Sequence, residues 1–328
     1  MMFNHLLRKG RSVSHRLLGH RRMARRTRAS VAVVMYHGVT REPLPFFNWC
    51  QLDAGSFEQQ MRFLADEYAV LPLTEVVDRL TAHRPLPEHT AVVTFDDGFR
   101  NVATTAYPIM ERHQIHSTVF VVTGLVGTHQ PPWTDRLFQT IANTPVSSVT
   151  FEGTDWPLTT PERRSSAHRA ICKRLKQIDN DRKEEHLREL FRQLGGCPEV
   201  SPDSPLATMG WDEIGHLSRG GLISFGSHTH THPILSRCSP EAQREELTRS
   251  RDILRDRLGS ADLFAYPNGT RGDFTDDTKR LLAETGYRCG LATVPGLNGA
   301  NADLFELRRV NVGADEGFSQ FQLNMIGW

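Results

Sequence analysis

Two polar motifs in this chain each follow a short apolar run, and about 130 residues separate them. The TFDDG motif of residues 94–98 follows the run 91–93, and the SHTHTHP motif of residues 227–233 follows the run 222–226. Each run is partly β-branched and is bounded by Gly, Pro or charged residues, which is typical of a buried strand in a parallel sheet. The motifs therefore place carboxylates and imidazoles where strands end, which is where α/β barrels keep their reactive groups.

These strand ends supply a carboxylate and two imidazoles for a divalent metal ion. Catalytic metal sites of the zinc type use three protein ligands and keep one position open, and Asp97, His228 and His232 satisfy that number. Neighbouring side chains on a strand point in different directions, so Asp96 remains free to take a proton from the attacking water. His230 lies two residues from both imidazole ligands, and we expect it to point away. The pattern predicts a metal-dependent hydrolase.

Strand-like runs alternate with helical periodicity along most of the chain. The predicted strands are residues 31–36, 91–95, 117–122, 222–225, 263–266, 288–292 and 309–312. Residues 242–258 and 276–285 have helical spacing, Gly286 is a candidate C-terminal cap, and Thr74 is a candidate N-cap of an earlier helix. This alternation of about seven strands with helices predicts an α/β fold with a parallel sheet, either open or closed as a barrel.

One segment, residues 131–209, interrupts the alternation because it has no convincing strand. Its central part, residues 161–194, is strongly charged and has Leu and Ile at helical spacing, which predicts a helical insertion, for example a hairpin, on the loop face of the sheet. Trp133, Thr134 and Asp135 lie at its root. They border a substrate groove, or they begin a helix with Thr134 or Asp135 as the cap.

The charge of the chain is unevenly distributed. Residues 1–28 contain nine Lys or Arg and no acid, whereas the remaining 300 residues carry 30 basic and 38 acidic side chains. Two interpretations stay open for this basic extension of residues 1–30: a disordered or helical solvated segment, or a contact with anionic lipid. Nucleic acid is not an expected partner, because no aromatic-interleaved basic patch appears elsewhere.

Targeting signals and cysteines bear on the location of the protein and on the state of its thiols. No apolar segment follows the basic residues as in a secretory signal, and no run of 18 apolar residues exists, so we expect a cytoplasmic protein, held at the inner membrane face where the basic segment contacts lipid. The five cysteines form no Cys-x-x-Cys pair, which predicts free thiols and no thiolate zinc site.

Together, residues 94–98 and 226–233 resemble the two leading motifs of the polysaccharide deacetylases, also known as NodB-homology or carbohydrate esterase family 4 enzymes. The similarity continues through residues 107–110, 117–122, 211–214 and 264–269, and it covers residues 31–312 with the insertion as its least secure part. The resemblance implies a distorted (β/α)₇ barrel that removes acetyl groups from N-acetylated sugars, with the deacetylase domain at residues 31–328.

The resemblance also implies roles for individual residues. Asp96 becomes the general base, and Asp97, His228 and His232 become the metal ligands. Tyr266 lies in the loop that helps to form the oxyanion site through its backbone N–H, a type of donor worth a few kcal/mol. Trp133 and Pro267 are expected to border the substrate.

Two family features are missing. No Arg stands shortly before Tyr266 to hold the catalytic Asp, and no Leu-x-His follows residue 312 to supply the general acid. Arg309, at the start of a late strand, is a candidate to orient Asp96; the alternative is a surface charge or a structural ion pair. His37 ends the apolar run 33–36, which resembles the opening of poly-N-acetylglucosamine-type deacetylases with circularly permuted motifs. By that resemblance His37 protonates the leaving amine; the alternative is a structural histidine.

The leading hypothesis is a metal-dependent deacetylase acting on an N-acetylhexosamine-containing polysaccharide or its precursor. Zn²⁺ is the expected metal, and Fe²⁺, Co²⁺ and Ni²⁺ suit the same donors. Two alternatives come from other classes. One is a catalytically inactive carbohydrate-binding homologue. The other is a non-haem Fe(II) oxygenase, because two His and one carboxylate also bind that metal.

Overall fold

The computed structural model describes residues 30–327. Its strands in chain order are β1 (Ser30–Tyr36), β2 (Gly38–Thr40), β3 (Gln51–Asp53), β4 (Ala69–Val70), β5 (Thr90–Phe95), β6 (Ser117–Val121), β7 (Ser148–Phe151), β8 (Thr154–Pro157), β9 (Ile223–Ser227), β10 (Leu263–Ala265), β11 (Cys289–Pro295), β12 (Asn298–Gly299) and β13 (Leu307–Asn311). Its α-helices are α1 (Ala54–Glu67), α2 (Leu73–Thr81), α3 (Tyr107–Arg112), α4 (Trp133–Asn143), α5 (Pro161–Leu175), α6 (Asn180–Gln193), α7 (Trp211–Arg219), α8 (Pro240–Leu258), α9 (Asp276–Glu284) and α10 (Phe318–Asn324).

Seven of these strands form a closed parallel barrel. The order around it is β1, β5, β6, β9, β10, β11 and β13, and β13 pairs in parallel with β1 to close the ring. The register of β1 with β5 sets Tyr36 beside Phe95, so the last residues of both strands are at the same level. Because all seven strands run the same way, their carboxyl ends and the loops that follow them gather on one face of the barrel.

Alternate residues along the barrel strands bury their side chains on opposite faces. On β1, Val31 and Val33 belong to one apolar cluster, and Val34 and Tyr36 to another that the surrounding helices cover. Such continuous burial is what parallel strands with both faces covered require.

The insertion is a separate subdomain beside the barrel. Helices α5 and α6 follow one another across a short loop, and both contact α4. Helix α5 also contacts β8 and α6 contacts β7 of the small antiparallel hairpin, and these elements share one apolar cluster. The two helices agree with the predicted helical pattern of residues 161–194. The hairpin was not predicted, because its four-residue strands are too short and too polar to give a strand signal.

The seven predicted strands correspond to the seven barrel strands, with ends that differ by at most three residues. Two cap predictions are wrong. Helix α2 begins at Leu73 after Pro72, so Thr74 lies inside its first turn, and α4 begins at Trp133 after Pro132, so Thr134 and Asp135 are helical residues rather than caps. Gly286 does follow α9 with a positive φ of 89°.

The five cysteines are free, as expected. Within residues 30–327, no helix combines the length and apolar character that crossing a bilayer requires. The basic segment of residues 1–28, for which a lipid contact was considered, lies outside the described residues.

Gly226 on β9 provides a test of how tightly the barrel is packed near its functional end. A Cβ atom at this position would lie 2.6 Å from the Phe120 ring and 2.9 Å from the Leu263 carbonyl oxygen. Since backbone on a neighbouring strand cannot give way easily, we expect Gly226→Ala to lower the free energy of unfolding by about 1–3 kcal/mol.

Denaturant unfolding of the variant measures this loss. The matched control is Gly299→Ala, where a Cβ meets no atom within 4 Å and the change should be within about 0.5 kcal/mol. An unchanged stability for Gly226→Ala would show that β9 is not confined as described.

Candidate metal and catalytic site

The ends of four barrel strands supply the predicted reactive side chains. His37 follows β1, Asp96 and Asp97 follow β5, His228 and His232 follow β9, and Arg309 lies on β13. A cavity of about 260 Å³ opens among them, lined by His37, the two aspartates and the two imidazoles together with loop residues. Strand closure thus brings together groups that are up to 272 positions apart in sequence (His37 to Arg309).

Asp96 is held by a fully buried arginine. Both terminal nitrogens of Arg309 donate to the two Asp96 carboxylate oxygens at 2.8 Å, and Arg309 Nε donates to the Ala292 carbonyl at 2.9 Å. Arg309 is 0% exposed and Asp96 2% exposed. This bidentate geometry fixes the plane of the carboxylate. The position and contact agree with the predicted orienting arrangement, and the surface-charge alternative for Arg309 is wrong.

The electrostatic environment keeps Asp96 ionised. Burial alone would raise the pKa of Asp96, but the positive charge and hydrogen bonds of Arg309, with a contribution from the His228 imidazole, hold this pKa at about 2. A carboxylate has about four lone-pair sites, and Arg309 takes two of them. Asp96 therefore remains a charged acceptor with capacity for further hydrogen bonds.

Asp97 has no such basic partner. Its Oδ1 lies 3.2 Å from His232 Nε2 and 3.5 Å from His228 Nε2, and the three donor atoms lie within 4.8 Å of one another. The same Oδ1 is buried and has no hydrogen-bond partner among the described residues. Burial raises the pKa of Asp97 despite the nearby imidazoles. A bare carboxylate oxygen facing two imidazole nitrogens is the arrangement that a cation stabilises.

The separations fit a tetrahedral metal ion. Ligand bonds of about 2.0–2.1 Å imply distances of roughly 3.3 Å between tetrahedral donors, close to the two contacts of Asp97 Oδ1. His228 Nδ1 donates to the Ala265 carbonyl at 2.7 Å, which leaves Nε2 unprotonated on the side of Asp97. Burial lowers the pKa of His228, and burial together with the Lys183 and Lys176 ammonium groups lowers that of His232 to about 4. Both imidazoles are therefore neutral near pH 7, as metal binding requires.

The loop that carries the two imidazoles is clamped from α8. One carboxylate oxygen of Glu246 accepts the backbone N–H groups of His230 and Thr231 at 2.7 and 2.8 Å, and the other accepts the Thr231 hydroxyl at 2.7 Å. The loop needs this support because Thr229 and His232 have positive φ angles of 66° and 65°, which cost non-glycine residues of order 1–3 kcal/mol each. The sequence did not predict this role of Glu246, because a single acidic residue in a highly charged helix has no pattern that distinguishes it from its neighbours.

His230 points away from the cluster, as expected. Its Nδ1 lies 3.0 Å from the Thr123 hydroxyl, and its ring lies over Gly124, where a Cβ would meet Cε1 at 3.1 Å.

His37 lines the same cavity. Its Nδ1 is buried without a hydrogen-bond partner, and its ring contacts the Trp49 indole edge-on with centroids 5.4 Å apart. Burial lowers the pKa of His37, while the charges of Asp97 and Asp96 oppose that change. The imidazole is thus half-buried beside the two carboxylates and has a nitrogen available.

The structure corrects two predictions for residues 266–267. The Tyr266 backbone N–H, expected at an oxyanion site, donates to the Leu291 carbonyl at 3.0 Å within the barrel, and the Tyr266 hydroxyl donates to the Phe305 carbonyl. Tyr266 is 0% exposed, so neither group is free to meet a substrate. Pro267 is buried and does not line the cavity; Asn268 and Thr270 of the same loop do.

Trp133 lines the cavity, as the groove interpretation predicted. Several other lining residues were not predicted: Trp49, Cys50, Lys176, Asn268, Thr270, Thr293 and Asn311. Asn311 could have been found, because it comes just after Arg309 in a predicted strand. Lys176 could not, because only the tertiary placement of the insertion brings it to the barrel.

The comparisons with known proteins agree with this architecture. The family described as "Polysaccharide deacetylase" matches residues 83–290. YxkH of Bacillus subtilis (strain 168), named as a polysaccharide deacetylase, is 20% identical over 295 residues, which are 89% of this chain and 75% of that protein.

Two solved structures illustrate the shared fold. Streptococcus pyogenes deacetylase PplD in complex with acetate has a TM-score of 0.62 at 20% identity, covering 91% of this chain and 99% of its own. IcaB from Ammonifex degensii has a TM-score of 0.58 at 18% identity, covering 90% of this chain and 96% of its own. At such identities the likeness establishes the barrel fold, while the family match covers well over half of the chain. The chain belongs to the polysaccharide deacetylase family of hydrolases.

Proposed function

We propose that this protein is a metal-dependent deacetylase that removes acetyl groups from N-acetylhexosamine residues of a polysaccharide or of its precursor. One observation carries the proposal. The unpartnered Asp97 Oδ1 lies 3.2–3.5 Å from two imidazole nitrogens, and beside it Asp96 is kept ionised by Arg309. A cation site next to a fixed base is the arrangement that amide hydrolysis needs.

We propose that Asp97, His228 and His232 hold the metal ion. Zn²⁺ suits hydrolysis and these nitrogen and oxygen donors best, and Fe²⁺, Co²⁺ or Ni²⁺ suit the same set. When bound, such an ion lowers the pKa of water toward about 7 and polarises a carbonyl oxygen.

In this mechanism Asp96 accepts a proton from the attacking water, and Arg309 keeps the carboxylate in the orientation for that transfer. General base catalysis of this kind contributes about 10²–10⁴-fold in rate. The water oxygen forms the new bond to the acetyl carbon, the bond from that carbon to the sugar nitrogen breaks, and the departing nitrogen takes a proton from His37 in its imidazolium form, which the charges of Asp97 and Asp96 favour. Asp96 then releases its proton to solvent, and His37 regains one from solvent. The products are acetate and the free amino sugar. Tyr266 has no part in these steps.

The cavity supports a sugar-sized substrate unit. Its volume of about 260 Å³ is below the roughly 300–1,000 Å³ of pockets that enclose drug-sized ligands. We infer that one acetylated sugar enters it while the rest of the glycan lies outside, with Trp133 as part of the wall. An exopolysaccharide is the substrate that we favour. We further propose that the deacetylase domain spans residues 31–328 and that the basic residues 1–28 contact anionic lipid at the inner membrane face.

The first prediction from the proposed function separates metal binding from base catalysis. Asp97→Ala, His228→Ala and His232→Ala should each lose the bound metal and acetate release together, because each removes one of three ligands. Asp96→Asn should keep the metal and lose about 10²–10⁴-fold in kcat. Elemental analysis of purified protein and acetate release from acetylated glycans measure the two effects.

Two results would contradict these assignments. Appreciable turnover by Asp96→Asn would refute the base, and full metal occupancy in the Asp97→Ala variant would refute the ligand set. A protein that binds metal and glycan without releasing acetate from any acetylated sugar would be an inactive homologue.

The second prediction concerns the buried ion pair. Arg309→Met leaves the Asp96 carboxylate buried without its partner, so we expect the free energy of unfolding to fall by about 3–5 kcal/mol. Adding Asp96→Asn should recover part of the loss, because no uncompensated charge then remains. The neighbouring exposed Arg308→Met is the control. Equal effects of Arg309→Met with and without Asp96→Asn, in denaturant unfolding, would show that the two residues are not coupled.

The third prediction concerns Glu246, which holds the loop that carries His228 and His232. Glu246→Ala removes the acceptor of three hydrogen bonds and should weaken metal affinity about 10- to 100-fold, the usual cost of removing support from metal ligands. Competition with a chelating dye measures the affinity. Glu245→Ala removes an exposed acid on the same helix and should leave it unchanged. Equal affinities for the two variants would exclude the positioning role.

A further inference from the structure

We propose that Lys176 makes this cavity selective for acetylated sugars that carry an anionic substituent, either a carboxylate or a phosphate. This inference rests on the proposed deacetylation and specifies its substrate class. It concerns a residue that the barrel itself does not supply, since Lys176 follows directly after α5 in the insertion.

The insertion holds Lys176 in place over the strand ends. Lys176 Nζ donates to the Asn268 side-chain oxygen at 2.6 Å, and the Asn268 amide donates in turn to Asp273 Oδ2 at 2.5 Å. Asn268 follows β10 with a positive φ of 60°, so the contact joins the insertion to a barrel loop. Lys176 and Asn268 both line the cavity that contains the two aspartates.

The ammonium group of Lys176 has donors to spare. It carries three N–H donors, and its hydrogen-bond partner in the described part of the chain is a neutral amide oxygen. Across residues 30–327, no carboxylate lies within 4.0 Å of its Nζ, although ion pairs at that distance are numerous elsewhere. A half-buried cation with a neutral partner therefore faces the space that a substrate enters.

The two carboxylates of the cavity are already engaged. Asp96 is paired with Arg309, and Asp97 is the proposed ligand that a divalent cation neutralises. The acetylated amide is itself neutral, so binding it requires no further positive charge. A second cation of the insertion, Lys183, lies over the Trp133 ring at 5.3 Å, but it is paired with Glu184 at 3.2 Å, so Lys176 supplies the positive charge on this side of the cavity. The side of the cavity that Lys176 lines is therefore complementary in charge to a negative group beside the acetylated nitrogen.

Two other roles would also involve this lysine, and they predict different results. A tether that only holds the insertion in place would affect all substrates alike. A group that stabilises negative charge developing on the acetyl oxygen would lower kcat equally for neutral and anionic sugars. Recognition of an anionic substituent changes the ratio between substrates, because only one of them makes the additional contact.

The experiment compares three substrates and four proteins. The substrates are diacetylchitobiose, its 1-phosphate, and the disaccharide of N-acetylglucosamine and N-acetylmuramic acid, which carries a carboxylate. The proteins are wild type, Lys176→Gln, Lys176→Met and Lys173→Gln. Glutamine removes the charge and keeps an N–H donor for Asn268, whereas methionine removes both. Lys173 is exposed on α5 and provides the matched loss of one charge outside the cavity.

We expect wild type to prefer at least one anionic disaccharide over diacetylchitobiose in kcat/KM. Lys176→Gln and Lys176→Met should lose about 10- to 100-fold on that substrate, the usual value of a hydrogen bond between charged groups, and clearly less on diacetylchitobiose. Lys173→Gln should behave as wild type. Preference for the phosphate or for the carboxylate identifies which anion is recognised.

Equal losses on all three substrates, or no preference in wild type, would overturn the inference. Titration calorimetry with the Asp96→Asn variant, with and without Lys176→Gln, adds a readout that does not depend on turnover, because the anionic disaccharide should bind about tenfold more weakly without Lys176. If no substrate releases acetate, the proposed deacetylation fails, and the calorimetric comparison still decides the role of Lys176.

Discussion

Two adjacent carboxylates at one strand end have opposite surroundings, and the remaining chemistry of the protein depends on that difference. Asp96 is neutralised by a fully buried arginine through two hydrogen bonds of 2.8 Å. Asp97 instead turns an oxygen without a hydrogen-bond partner toward two neutral imidazoles. A buried charge without a partner is costly, so Asp97 is the position where we propose that a cation binds. Asp96 already has a cationic partner in Arg309.

Closure of the barrel is what makes this division possible. Strands β5 and β13 are both neighbours of β1, so Arg309 reaches Asp96 across a single strand although the two residues are 213 positions apart. The insertion then adds groups from outside the barrel to the same face. The barrel thus provides the proposed reactive groups, and the insertion, through Lys176 and Trp133, provides part of the wall that a substrate meets.

The sequence predicted the parts of this arrangement that depend on strand ends. Apolar runs located all seven barrel strands, and the residues after them identified Asp96, Asp97, His228, His232 and His37, because parallel strands must end on one face. The Tyr266 assignment came from resemblance and failed, since its backbone N–H belongs to the barrel hydrogen bonding. The roles of Glu246 and Lys176 could not be predicted from the sequence. Their contacts depend on how α8 and the insertion pack against the barrel, and the spacing of apolar residues does not specify that packing.

The most direct test of the account is anomalous diffraction from crystals of the protein purified with its native metal. We expect one dominant metal peak per chain, about 2.0–2.2 Å from Asp97 Oδ1 and from Nε2 of His228 and His232, with an open position facing the cavity. A dominant peak elsewhere, or the three donor atoms turned away from a common point in the metal-loaded protein, would contradict it.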